Sequence, residues 1–158
     1  MKKPDALREH IANLLSAKGA HVDFDAAIAG WPPRLRGVRP KKVPYSAWEL
    51  LEHIRIAQWD ILEFSLNPKH VSPPWPEGYW PKNPAPSSAA AWNKSVKAVR
   101  SGLQAMQALV ADPKRDLFAP FAHGQGQTLL REALLVADHN AYHIGQLVVL
   151  RRILGTFE

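Results

Sequence analysis

The chain has no cysteine, which excludes disulfides, thiolate metal sites and a cysteine nucleophile together. It also lacks an apolar run of the roughly 18–20 residues that a membrane helix needs. Arg131, Glu132, Asp138, His139 and His143 break up the best candidate stretch. The opening residues Met1-Lys2-Lys3-Pro4-Asp5 have no apolar core of a secretory signal, so a cytoplasmic protein with no membrane partner is expected. Strand signals are almost absent, and no internal repeat is visible. What is present is an ordinary globular composition, 46% hydrophobic and 22% charged over 158 residues, which predicts a single domain spanning 1–158.

The net charge of +6 raises the question of a nucleic-acid partner. Nine of the twenty Lys/Arg but only four of the fourteen Asp/Glu fall in residues 1–42. The excess sits in Arg34, Arg36, Arg39, Lys41 and Lys42, between prolines. This reads as a solvated loop, because no helix or strand presents the charges at regular intervals. No nucleic-acid binding is expected.

Four long helices can be read from the apolar spacing. The first covers residues 4–17, with Pro4 and Asp5 in its first turn, a stripe of Leu7, Ile11, Leu14 and Leu15, and Gly19 as its stop. A short turn follows at Phe24–Ala29, closed by Gly30. The second long helix has the clearest start in the chain. Ser46-Ala47-Trp48-Glu49 is a capping box, in which the serine hydroxyl and the glutamate satisfy each other's exposed backbone donors. From there to about Leu66 apolar residues nearly encircle the helix, which predicts burial on most sides. The third helix starts at Ser87 or Ser88, with the bundle seam Trp92, Val96, Val99, Leu103, Met106 and Val110. The last is capped by Thr128, runs to about Leu154 with Arg151 and Arg152 near its negative end, and stops at Gly155. Residues 67–86 hold seven of the fourteen prolines together with Trp75, Tyr79 and Trp80, which predicts an ordered aromatic crossover covering one end of the core. The expected architecture is all-α, a four-helix bundle with long Pro-rich connections.

His139 and His143 stand four residues apart on one face of the last helix, a spacing that lets two imidazoles converge on one metal ion. His53, in the middle of the buried second helix, can meet them. Three neutral imidazoles with a free fourth position form the donor set of a catalytic zinc-type site. Two familiar patterns are excluded. Asn140 stands where a metalloprotease helix needs its glutamate, and no Glu is followed three residues later by His, as di-iron bundles require. Without thiolates the candidate ions are Zn, Ni, Fe and Mn, with Zn and Ni foremost. Glu49, one turn before His53, is a candidate for orienting an imidazole or acting as a base, and the capping box is its competing reading. Trp75, Tyr79 and Trp80 are candidate walls of a substrate pocket, joined by Tyr142 and Gln146. His10, His21 and His70 read as solvated, and His123 as a residue that could approach the site.

The segment from Thr128 to Leu147, with Asp138-His139-Asn140-Ala141-Tyr142-His143 at its heart and Arg151-Arg152-Ile153-Leu154-Gly155 after it, resembles the last helix of the DinB-like superfamily. Ser46 to Ile54 is similar to that family's second-helix motif, and Trp75 to Trp92 resembles one of its branches. The resemblance covers about residues 20–156. It implies a down-up-up-down four-helix bundle, commonly a homodimer, and a divalent metal held by His53, His139 and His143. Characterised relatives include thiol-dependent S-transferases and isomerases using bacillithiol, mycothiol or glutathione, which implies a low-molecular-weight thiol as co-substrate. The expected function is therefore a metal-dependent S-transferase or hydrolase acting on a small electrophile. The alternative is a non-catalytic dimeric bundle that binds or senses a metal or ligand.

Overall fold

The computed structural model describes residues 6–16 and 20–156. Among these there are five α-helices and no strand: α1 (Ala6–Leu15), α2 (Phe24–Ile28), α3 (Ala47–Leu66), α4 (Ala89–Ala111) and α5 (Leu129–Ile153). Two single 3-10 turns occur at Pro33–Leu35 and Glu77–Tyr79. Among the described residues no helix is long and apolar enough to cross a membrane.

Local chemistry sets the helix boundaries. The predicted capping box forms at α3: Ser46 Oγ accepts from the Glu49 N–H at 3.2 Å and Glu49 Oε2 accepts from the Ser46 N–H at 2.8 Å. Ser88 caps α4 and Thr128 caps α5 through the same N3 donor. Gly155, at φ +67, takes the left-handed conformation that ends α5. Pro4, Asp5 and Gly19, assigned to the first helix from sequence, lie outside the described residues.

Helix α3 packs along both α4 and α5, and α1 packs on α4 and α5. Two apolar clusters fill the interior. One gathers Trp31, Trp48, Leu50, Leu51, Ile54, Trp92, Val99, Ile144, Leu147 and Leu150. The other gathers Ile11, Leu15, Leu62, Met106, Val110, Leu129, Ala133 and Val136. Helices α3 and α4 therefore both run from the tryptophan cluster to the methionine cluster, and α5 runs back. Two parallel helices in sequence need a connection as long as a helix, about 30 Å for the twenty residues of α3. That is the task of residues 67–88. The crossover returns along α3 instead of covering one end of the core: His70 meets Asp60, Tyr79 meets His53, and Pro84 O accepts from Ser46 Oγ. The antiparallel step from α4 to α5 needs less chain, and a lone bridge between Pro120 and Thr128 closes it.

Two sequence expectations need correction. In α1 only Ile11 and Leu15 are buried, while Leu7 and Leu14 are 37% and 53% exposed, because the helix offers the core a narrower stripe than its composition suggests. The basic segment is not simply solvated. The Arg36 guanidinium lies 4.6 Å over the Trp92 ring, and Arg39 grips the Glu49 carboxylate with two nitrogens. Arg151 stands in the last turn of α5 as expected, and it also reaches across to α2, where its Nη1 donates to the Ala26, Ala27 and Ala29 carbonyls. A guanidinium has enough donors to satisfy several open carbonyls at once.

Candidate metal centre

Between the two apolar clusters lies a buried polar layer, and the three histidines belong to it. His53 is carried by α3 seven residues past its cap and is 4% exposed. Its Nδ1 donates to the Tyr79 carbonyl at 2.8 Å, so its Nε2 lone pair points inward. The Trp80 ring lies parallel on the imidazole, with centroids 4.0 Å apart and planes 3° apart. From α5, His139 brings its Nε2 to 3.1 Å from that of His53, and the His143 ring stands 4.4 Å from the His139 ring. His143 Nδ1 donates to Gln146 Oε1 at 2.6 Å, which turns its Nε2 inward as well. One nitrogen from each ring fits within a span of 4.8 Å.

Burial dominates the electrostatics. It pushes the His139 imidazole down to about 4, helped by the neighbouring His143 and His53 and opposed by the Asn140 side chain. Burial also takes His143 down to about 4 against the hydrogen bond to Gln146, and it lowers His53 against the Tyr79 carbonyl. All three rings are therefore neutral at neutral pH, the protonation state that metal ligation requires. Converging lone pairs at 3.1 Å repel each other unless a proton or a cation lies between them. Nitrogen donors, neutral rings and hydrogen-bonded outer nitrogens together fit a borderline divalent ion.

The rings open onto a cavity of about 630 Å³ lined by His53, Ala57, Asp60, Ile61, Trp75, Tyr79, Trp80, Leu135, His139, Tyr142 and His143. Trp75, Tyr79, Trp80 and Tyr142, taken from the sequence as pocket walls, all stand there. Gln146 does not line this cavity. It holds His143 and donates to Tyr45 Oη at 2.8 Å, facing a neighbouring cavity of about 400 Å³ that shares Tyr142. Glu49 lies away from the cavity. Burial raises its pKa, but Arg39 and the Ser46 N–H outweigh that and hold the carboxyl below its usual range, so it is engaged in the cap and the ion pair. His123 turns to the Phe64 carbonyl at 2.8 Å and does not join the three.

Sequence reading missed Asp60, which lies in the cavity wall two turns beyond His53 on the same face of α3. Its carboxylate accepts from Tyr79 Oη at 2.6 Å and from His70 Nε2 at 2.7 Å. His70, read as solvated, is in fact a buried clamp residue with a side chain only 7% exposed. An interval of seven after a candidate ligand on a helix is the signal that points to Asp60. Tyr45, Gln58 and Asn140 carried no such signal.

A family model described as the DinB superfamily matches residues 18–147. The chain belongs to the DinB superfamily. No curated protein and no solved structure matches it. The matched span includes all three histidines, so in this DinB-superfamily chain the donor set and the family assignment coincide.

Proposed function

We propose that His53, His139 and His143 hold a divalent metal ion, Zn or Ni in the first instance, and that the protein transfers a low-molecular-weight thiol to a small electrophile or hydrolyses one. The observation that carries this reading is the set of three neutral imidazoles opening on a cavity of about 630 Å³ with aromatic walls. When bound, such an ion supplies Lewis acidity, with a coordination position that the three imidazoles leave free. Trp75, Trp80 and Tyr142 receive the apolar body of the substrate and keep water from it. Burial and the Asp60 carboxylate push the Tyr79 hydroxyl up to about 12, so it stays protonated and locked on Asp60. The parallel course of α3 and α4 and the return of α5 support a four-helix bundle in down-up-up-down order, with the chain as one domain. Exposed Leu134, Tyr142, Val149 and Ile153 on α5 support pairing with a second copy.

Metal-loaded protein assayed with glutathione-, bacillithiol- and mycothiol-type thiols against epoxides and maleyl compounds tests the reaction. Thiol-dependent turnover that is lost in His143→Ala supports it. Silence across the panel with tight metal retention would assign the site to binding or sensing instead.

A further inference from the structure

We propose that a buried amide relay, running from the Val99 carbonyl through Gln58 and Asn140, orients His139, and that Asn140 and Gln58 are positioning residues of the site. The inference rests on the metal reading above and adds what holds its third imidazole.

Two of the rings have evident outer partners, the Tyr79 carbonyl for His53 and the Gln146 amide oxygen for His143. His139 is the exception. Its Nδ1 is buried without a hydrogen bond of good geometry, and so is Oδ1 of the adjacent Asn140. An N–H donor and a carbonyl acceptor, both buried and both unsatisfied on consecutive residues, are complementary, and each such group calls for a partner.

The Asn140 amide cannot turn the other way. Its Nδ2 donates to Gln58 Oε1 at 2.8 Å, and Gln58 Nε2 donates to the Val99 carbonyl at 2.8 Å. A backbone carbonyl can only accept, so it fixes the polarity of both amides and leaves Oδ1 as the end offered to the ring. His139 then carries its proton on Nδ1 and directs the Nε2 lone pair to the same point as the other two. The relay joins three helices, with the carbonyl on α4, Gln58 on α3 and Asn140 on α5, and both side chains are at least 95% buried. Helix α4 makes room for it with Gly102, where a Cβ would overlap Gln58 Nε2. The same Asn140 that excludes a metalloprotease base is thus given a positive task.

The test is zinc(II) and nickel(II) affinity of the full chain after chelator treatment, measured by chelator competition, with circular dichroism to verify folding. Asn140→Leu is expected to bind about 10–100-fold more weakly, and Gln58→Leu to fall between it and wild type. Asn140→Asp keeps an acceptor for Nδ1–H but loses the donor to Gln58 Oε1, so it should bind more weakly than wild type and more tightly than Asn140→Leu. In zinc-loaded wild-type protein the His139 Nδ1 proton should exchange slowly and show proximity to the Asn140 side chain by NMR, a readout that needs no variant to fold. Equal affinity of Asn140→Leu and wild type, or a rapidly exchanging Nδ1 proton, overturns the relay and leaves the metal reading standing. Wild-type protein that binds neither ion overturns both.

Discussion

Tyr79→Phe tests the clamp that holds the crossover over the histidines. The substitution removes one hydroxyl and keeps the ring, so the contact with Trp75 at 5.4 Å and the cavity wall are retained. What is lost is the 2.6 Å hydrogen bond to Asp60, a residue only 8% exposed. A hydrogen bond to an ionised group is worth roughly 1.5–3 kcal/mol, and water entering from the cavity recovers part of that, so a cost of about 1–2 kcal/mol is expected. For a chain of this size that corresponds to a fall in Tm of roughly 2–8 °C. Because the Tyr79 carbonyl orients His53, zinc affinity should weaken too, by up to about tenfold. Thermal melts of metal-free protein and a zinc titration read both effects. The decisive arm repeats Tyr79→Phe in an Asp60→Asn background, where the change should be much smaller. A Tm and a zinc Kd unchanged in the single variant, or an equal loss in both backgrounds, would refute the clamp.

Three further outcomes are expected. Metal-free protein should lose stability as pH falls from 6.5 towards 4, since His139 and His143 at about 4 bind fewer protons folded than unfolded. Their contribution is complete above 6.5, and urea midpoints at pH 7.5 and 5 read it; equal midpoints would contradict it. Gly102→Ala should destabilise by about 1–2 kcal/mol, because displacing the buried Gln58 from Val99 costs more than the roughly 1 kcal/mol gained in helix propensity. A urea titration that finds it as stable as wild type would show that Gln58 gives way freely. Trp75→Ala, at a residue 74% exposed, should leave stability within about 0.5 kcal/mol while raising KM for an apolar electrophile, whereas Trp80→Ala should cost about 1–3 kcal/mol through its lost stack on His53.

The legible parts of this chain were the ones written in local spacing. The capping box at Ser46 fixed the start of α3 to the residue, and the 3–4 spacing from Trp92 to Val110 gave the buried face of α4. The interval between His139 and His143 placed two rings on one face, and the buried character of α3 brought His53 to them. What spacing could not supply was partnership between distant segments. Asp60, His70 and Tyr79 form one unit from three places in the chain, and nothing local distinguishes His70 there from a solvated histidine. Arg39 likewise appeared as loop charge, because its partner Glu49 already had a complete explanation in the cap. The course of the crossover was also hidden, since it depends on α3 and α4 being parallel, a property of the packed interior and not of either helix.

The central claim is that three imidazoles form a metal centre, and metal binding to the intact chain tests it most directly. Protein purified without chelator should carry close to one equivalent of a divalent metal ion by elemental analysis, and metal-free protein should take up one zinc or nickel ion with a rise in Tm. His53→Ala should abolish both. Wild-type protein that stays metal-free and gains no stability from either ion, with His53→Ala indistinguishable from it, would contradict the account.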